Sequence, residues 1–300
     1  MLGTAIIHDR RFLRLWPRKP WARLLHNHGV FTEGPVWFAD HECLLWSDIP
    51  ANRIRRLAAD GSVTVFRLDS NHTNGNSRDR QGRLVSCEHS GRRVTRTEID
   101  GTITVLADSF DGKPLNSPND VVVKSDGSVW FTDPDYGLRL HVPGGIKHQA
   151  GDFVFRIDPV SGAVTVVARD FDKPNGLAFS PDEQTLYIAD SAITDGPGRN
   201  SHIRRFDVEA DGTLSGGEVF ATTLGTPDGM RVDVEGNVWT SAGPKIDVYA
   251  PSGTLLGQIV DFPANVTNLT FGGRDRDRIF VTAGASLFAI GVAVSGAQTP

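Results

Sequence analysis

The sequence is short of several things that usually direct a first reading. It has two cysteines, Cys43 and Cys87, in 300 residues, and their separation matches no metal-binding spacing. A disulfide framework is therefore excluded. One bridge between them is arithmetically open, but two isolated strand cysteines is the reading preferred here. Two methionines and few runs of Ala, Leu, Glu or Lys leave poor material for helices. No run of about 20 apolar residues occurs, so nothing is expected to cross a membrane. The first 25 residues scatter Arg10, Arg11, Arg14, Arg18, Lys19 and Arg23 with no unbroken apolar stretch. No signal peptide is expected, and a cytoplasmic location follows, or a periplasmic one if a leader has been removed. Basic excess is also missing: 31 Lys and Arg face 36 Asp and Glu, a net charge of −5, which argues against a nucleic-acid partner. There is no Gly-x-Ser-x-Gly elbow, no His-Glu-x-x-His, no P-loop, and no Gly-x-Gly-x-x-Gly after a strand.

What is present is turn chemistry and repetition. The 32 glycines and 17 prolines punctuate short β-branched and aromatic runs. One pattern recurs: a polar segment, an apolar strand, an Asp-Gly-type turn and a second apolar strand. Its copies fall at residues 36–38 and 44–48, at 83–88 after the turn 79–82, and at 121–123 and 129–133. Three more follow at 177–179 and 186–190, at 230–232 and 238–241, and at 269–271 and 279–283. The period of about 40 to 56 residues is that of a four-stranded propeller blade. Six copies predict an all-β, six-bladed β-propeller with a central channel, occupying residues 1–300 as a single domain. The last copy lacks an outer strand, and residues 22–30 are expected to supply it and close the ring.

The polar segment that opens each copy feeds the innermost strand. In order these segments are Glu33-Gly34-Pro35, Asn74-Gly75, Pro118-Asn119-Asp120, Pro174-Asn175-Gly176, Pro227-Asp228-Gly229 and Thr267-Asn268. Asn, Asp, Gly and Pro are ordinary turn residues, so any single segment is just a turn. Turn chemistry does not, however, require a side-chain oxygen at the same place in every copy. Converging oxygens without His or Cys suit a hard cation, Ca²⁺ first, with Mg²⁺, Mn²⁺ or Zn²⁺ as alternatives. Glu33, Asn119, Asn175 and Asp228 would bring two charges and two neutral oxygens, leaving positions for water and substrate.

These segments also resemble the SMP-30/gluconolactonase/luciferin-regenerating family, related at fold level to diisopropyl-fluorophosphatase. The resemblance runs from Phe31 to Gly273 and is most specific at Glu33-Gly34-Pro35-Val36-Trp37, Ser117-Pro118-Asn119-Asp120, Lys173-Pro174-Asn175-Gly176-Leu177 and Pro227-Asp228-Gly229-Met230. It implies a six-bladed propeller, Glu33, Asn175 and Asp228 as metal ligands, Asn119 as a fourth, and a small lactone as substrate. Where eukaryotic members with sugar-lactone preference carry Arg, two residues before the Asn of the second copy, this chain has His72 ahead of Asn74.

A lactone carbonyl polarised at the cation would be attacked by water, with Asp228 as the base. Asn74, His72, Glu88, His89, Asp133 and Tyr136 are expected substrate contacts; Asp133 and Glu88 are also secondary candidates for the base. Residues 146–149 and 199–202, in long connections, are candidate lids. Two other functions stay open: phosphotriester or aryl-ester hydrolysis at the same metal, and a non-enzymatic calcium-binding propeller. The expected partner is a small lactone, with no membrane or nucleic acid; the oligomeric state is not legible.

Overall fold

In the computed structural model, which describes residues 3–298, each repeat becomes a four-stranded antiparallel sheet. The first blade runs Thr32–Phe38, Cys43–Asp48, Arg53–Leu57 and Val63–Leu68. The innermost strands of the next four are Thr73–Arg78, Val121–Val123, Pro174–Phe179 and Met230–Val232. The sixth combines Val266–Gly272, Arg278–Ala283 and Ser286–Gly291 with an outer strand from the other end of the chain, Ala22–His26. That strand pairs antiparallel with Ser286–Gly291, Ala22 opposite Ile290 and Leu24 opposite Phe288. A fifth strand, Thr4–Ile7, is added to the outside of the fifth blade.

Six apolar clusters, one between each pair of neighbouring blades, hold the ring. Val36 and Phe38 meet Leu84; Val85 and Cys87 meet Phe131 and Phe155; Trp130 meets Leu177 and Leu186. Tyr187 meets Met230, and Trp239 meets Leu269 and Ile279. Trp46 with Phe280 and Leu287 closes first blade to last. Trp46, Trp130 and Trp239, each on a second strand, are wholly buried. A buried aromatic of this size contributes roughly 1.5–3 kcal/mol, so the interfaces between blades dominate stability. Cys43 and Cys87 are free and buried, and no helix of the described residues is long and apolar enough to cross a membrane.

The inner ends of the blades approach one another closely enough to need glycine. A Cβ on Gly34, whose φ is +53°, would sit 2.2 Å from the Asn74 carbonyl. One on Gly229 would sit 1.9 Å from the Asn268 side chain. Hydroxyls at the ends of second strands then tie blades together. Ser47 Oγ donates to the Asn74 carbonyl at 2.7 Å, Thr132 Oγ1 to that of Asn175 at 2.8 Å, and Ser191 Oγ to that of Pro227. Within the sixth blade's opening segment, Thr267 Oγ1 reaches the Thr32 carbonyl at 2.8 Å. The channel-facing segments are thus fixed by their neighbours and not by their own turns.

Candidate active site

At the channel mouth lies a cavity of about 450 Å³. Glu33, Asn74, Asn119, Asn175, Asp228 and Thr267 line it, one from each blade, so all six opening segments reach one place. His89, Tyr136, Leu140 and His141 line it as well, with Phe31, Ile49, Pro50 and Val266. The sequence-read residues Glu33, Asn74, His89, Asn119, Tyr136, Asn175 and Asp228 are therefore together.

The amides form a directed chain. Asn74 Nδ2 donates to Asn119 Oδ1 at 2.5 Å, and Asn119 Nδ2 donates to Asn175 Oδ1 at 2.6 Å. Asn175 in turn bonds the Asp228 carboxylate. Beneath them a second layer carries charge. Asn268 Nδ2 bridges Glu33 Oε2 at 3.0 Å and Asp120 Oδ2 at 3.3 Å. Arg231 is buried close by, its guanidinium facing the Asp120 and Glu33 charges. Burial, then the Asp120 charge, pushes the Glu33 carboxyl up to about 8. Burial, then Glu33 and Asp120, holds Asp228 well above the usual carboxylate range.

The arrangement fits a divalent cation. Three carboxylates, buried Glu33 and Asp120 and partly buried Asp228, face one buried guanidinium, Arg231. Ionised, they sum to −2, which a dication neutralises. An amide oxygen that accepts one hydrogen bond keeps a second lone pair for a metal. Among the described residues no three His, Cys, Asp or Glu side chains form a ligand group of their own. Here half the candidate oxygens come from amides, the donor set of a hard cation.

The remaining candidates lie elsewhere. Glu88 is wholly buried under two ion pairs, to Arg67 and Arg93 at 2.7 Å each, with further bonds from Asn71 and Thr95. It ties strands of the second blade to the outer strand of the first and is not among the cavity-lining residues. The His72 ring is half-buried behind the wall, its Nδ1 within 2.9 Å of Ser90 Oγ. Asp133 is wholly buried, Oδ2 accepting the Asn116 N–H at 2.7 Å, with no partner at Oδ1. Residues 146–149 do not reach the mouth either; Gln149 Nε2 is tied to the carbonyls of Phe110, Lys113 and Pro114.

Burial pushes Asp133 up to about 8, which has a stability consequence. A carboxyl raised in the folded state costs nothing while both states are protonated. As pH rises from the ordinary carboxylate range towards 8, the unfolded chain ionises first and stability falls. Asp133→Asn removes this loss, at most about 1.4 kcal/mol for each pH step across that range. In urea titrations the variant should match wild type near pH 4 and exceed it at pH 8. Equal slopes of stability against pH in the two proteins would contradict the assignment.

Four features of the site were not singled out from the sequence: Asp120, Arg231, Asn268 as a bridge, and the helix Tyr136–His141. Asp120 and Asn268 stood inside the opening segments, and a count of carboxylates against cations there could have drawn attention to them. The helix fills part of the connection between second and third strands of the third blade. An ionic knot around buried Lys173 holds it: Lys173 Nζ meets Asp135 at 2.5 Å and Asp195 at 3.0 Å, and Arg139 reaches both aspartates at 2.8 Å.

Fold and site together define a class: a six-bladed propeller whose channel opens on a pocket built by every blade. The chain belongs to the SMP-30/gluconolactonase/LRE-like family, whose characteristic region matches residues 31–285. A gluconolactonase of Zymomonas mobilis is 32% identical, over 84% of this chain and 76% of that protein. The solved structure of a gluconolactonase from Xanthomonas campestris superposes with a TM-score of 0.87 at 35% identity, covering 97% of this chain and 98% of that one. A calcium-binding protein, regucalcin of Agrobacterium tumefaciens, has a TM-score of 0.75 at 22% identity, over 92% and 95% of the two chains, a likeness of fold alone.

Proposed function

We propose that this chain is a lactonase that opens a sugar lactone, D-glucono-1,5-lactone being the leading candidate, to the hydroxy acid. Glu33, Asn119, Asn175 and Asp228 would hold the divalent cation it uses, with Ca²⁺ as the expected ion. The observation that carries the reading is the ring of side-chain oxygens that the blades bring to one cavity, Glu33 and Asp228 among them, with Asn119 and Asn175. When bound, the cation supplies Lewis-acid polarisation of the carbonyl and charge for the developing oxyanion.

The protein's own groups do the rest. Asp228 is partly open to the cavity and receives at its carboxylate the proton of the attacking water. Asn175, fixed by Asn119, orients that carboxylate. Asn74, bonded to Asn119 and near His89 Nε2 at 3.1 Å, sets the polar floor beside it. Phe31, Ile49, Pro50 and Leu140 at the rim limit water. The opened product carries one added water, its carboxylate formed from the carbonyl and its new hydroxyl from the ring oxygen.

The test is a pH-stat assay with the uncatalysed rate subtracted. Hydrolysis of gluconolactone is expected to vanish after EDTA treatment and return with Ca²⁺. Hydrolysis that persists without metal, or a higher kcat/KM for a phosphotriester such as paraoxon, would overturn the proposal.

A further inference from the structure

His141 is the last residue of the helix at the cavity mouth and lines the cavity alongside Glu33, Asn119, Asn175 and Asp228. Its ring stacks on two other imidazoles. The His72 centroid is 4.5 Å away with planes 13° apart, and the His89 centroid 5.5 Å away with planes 23° apart. With its ring engaged by these stacks, the edge with the two nitrogens is what remains for a ligand.

The three histidines are not equivalent. His89 Nε2 lies 3.1 Å from Asn74 Nδ2 and 3.3 Å from Asn119 Oδ1, and so belongs to the amide chain. His72 Nδ1 is engaged by Ser90. Among the described residues no group hydrogen-bonds either nitrogen of His141. Its place is nevertheless fixed, because the Asp135–Lys173–Asp195 knot anchors the helix start and Arg139 ties it to Asp195. A fixed, unpartnered imidazole edge in a polar-floored cavity is what a binding subsite requires.

We propose that His141 is a specificity-determining residue that hydrogen-bonds the hydroxyl groups of a neutral polyhydroxylated lactone. This rests on the lactonase reading and adds the chemical group that is selected. A neutral imidazole has one donor nitrogen and one acceptor nitrogen, matching a hydroxyl, which both donates and accepts. Burial, then the neighbouring His72, pulls His141 down to about 4, so the ring is uncharged near neutral pH. An uncharged edge offers no compensation to a phosphate or carboxylate substituent, so charged lactones are disfavoured at this wall.

The experiment compares wild type with His141→Phe, which keeps an aromatic stack and loses both nitrogens, and His141→Gln, which restores a donor and an acceptor. Two substrates share the six-membered lactone ring: D-glucono-1,5-lactone with hydroxyls and δ-valerolactone without. For His141→Phe, KM for gluconolactone should rise about tenfold with kcat changed by less than about threefold. The kcat/KM for δ-valerolactone should stay put, and His141→Gln should recover most of the loss. Equal losses on both substrates, or no change on either, would overturn the proposal. If wild type opens neither lactone, the hydrolytic reading falls, while this one is decided by calorimetry with D-gluconolactam. About tenfold weaker binding to His141→Phe than to wild type then supports it, and equal affinity overturns it.

Discussion

Asp228→Asn is expected to lower kcat/KM for D-glucono-1,5-lactone by about 1000-fold or more while leaving the protein folded. Two losses combine. The variant removes a charged ligand from the cation and the acceptor for the water proton, and single preorganised groups of this kind are worth roughly 100- to 1000-fold each. The side chain keeps its shape, and its oxygen can still accept from Asn175. The stability change should run the opposite way. Asp228 is held well above the usual carboxylate range by burial and by Glu33 and Asp120. Neutralising it relieves repulsion in the metal-free protein, so at pH 8 in EDTA the variant should melt no lower than wild type. A variant within about tenfold of wild-type kcat/KM would remove Asp228 from the proposed chemistry.

The second large effect is the response to metal removal. With Ca²⁺ at about 100 times its Kd, binding stabilises the folded state by about 2.7 kcal/mol. For a chain of this length that corresponds to roughly 4 °C in Tm between Ca²⁺ and EDTA. The effect should depend on pH, and its sign follows from the raised carboxyls. Glu33 at about 8, with Asp120 and Asp228 also raised, holds protons in the metal-free fold that the unfolded chain has lost. Metal-free stability therefore declines as pH rises from about 4 towards 8. The cation binds the ionised forms and displaces those protons, so its contribution grows over the same window. Differential scanning calorimetry should show a wider gap at pH 8 than at pH 5. A gap independent of pH would mean that these carboxylates do not hold the ion.

The sequence disclosed the blades because a propeller writes one hairpin pattern repeatedly, and a period survives even where individual strands diverge. The six opening segments were legible for the same reason, and all six contribute a residue to the cavity wall. The layer below was less visible. Asp120 follows Asn119, and Arg231 lies on the short strand Met230–Val232. Only the closed ring brings these two together with Asn268 and Glu33. Glu88 reads as a channel residue by its position at the end of a strand, yet Arg93 and Thr95 from its own blade and Arg67 from the first blade surround it. His141 could not be distinguished among nine histidines, since its role comes from a short helix with no repeat behind it.

The pairing of Ala22–His26 with Ser286–Gly291 bears on how the molecule comes into being. A growing chain can build its early sheets one after another, but the ring stays open until its final strands return to the first ones. Because every blade contributes to the cavity wall, the pocket is complete only once the ring has closed. Contacts so distant along the chain close slowly. Mutations at the seam, at Leu24, Phe288 or Trp46, would therefore delay the appearance of activity during synthesis more than they alter the chemistry of the finished protein.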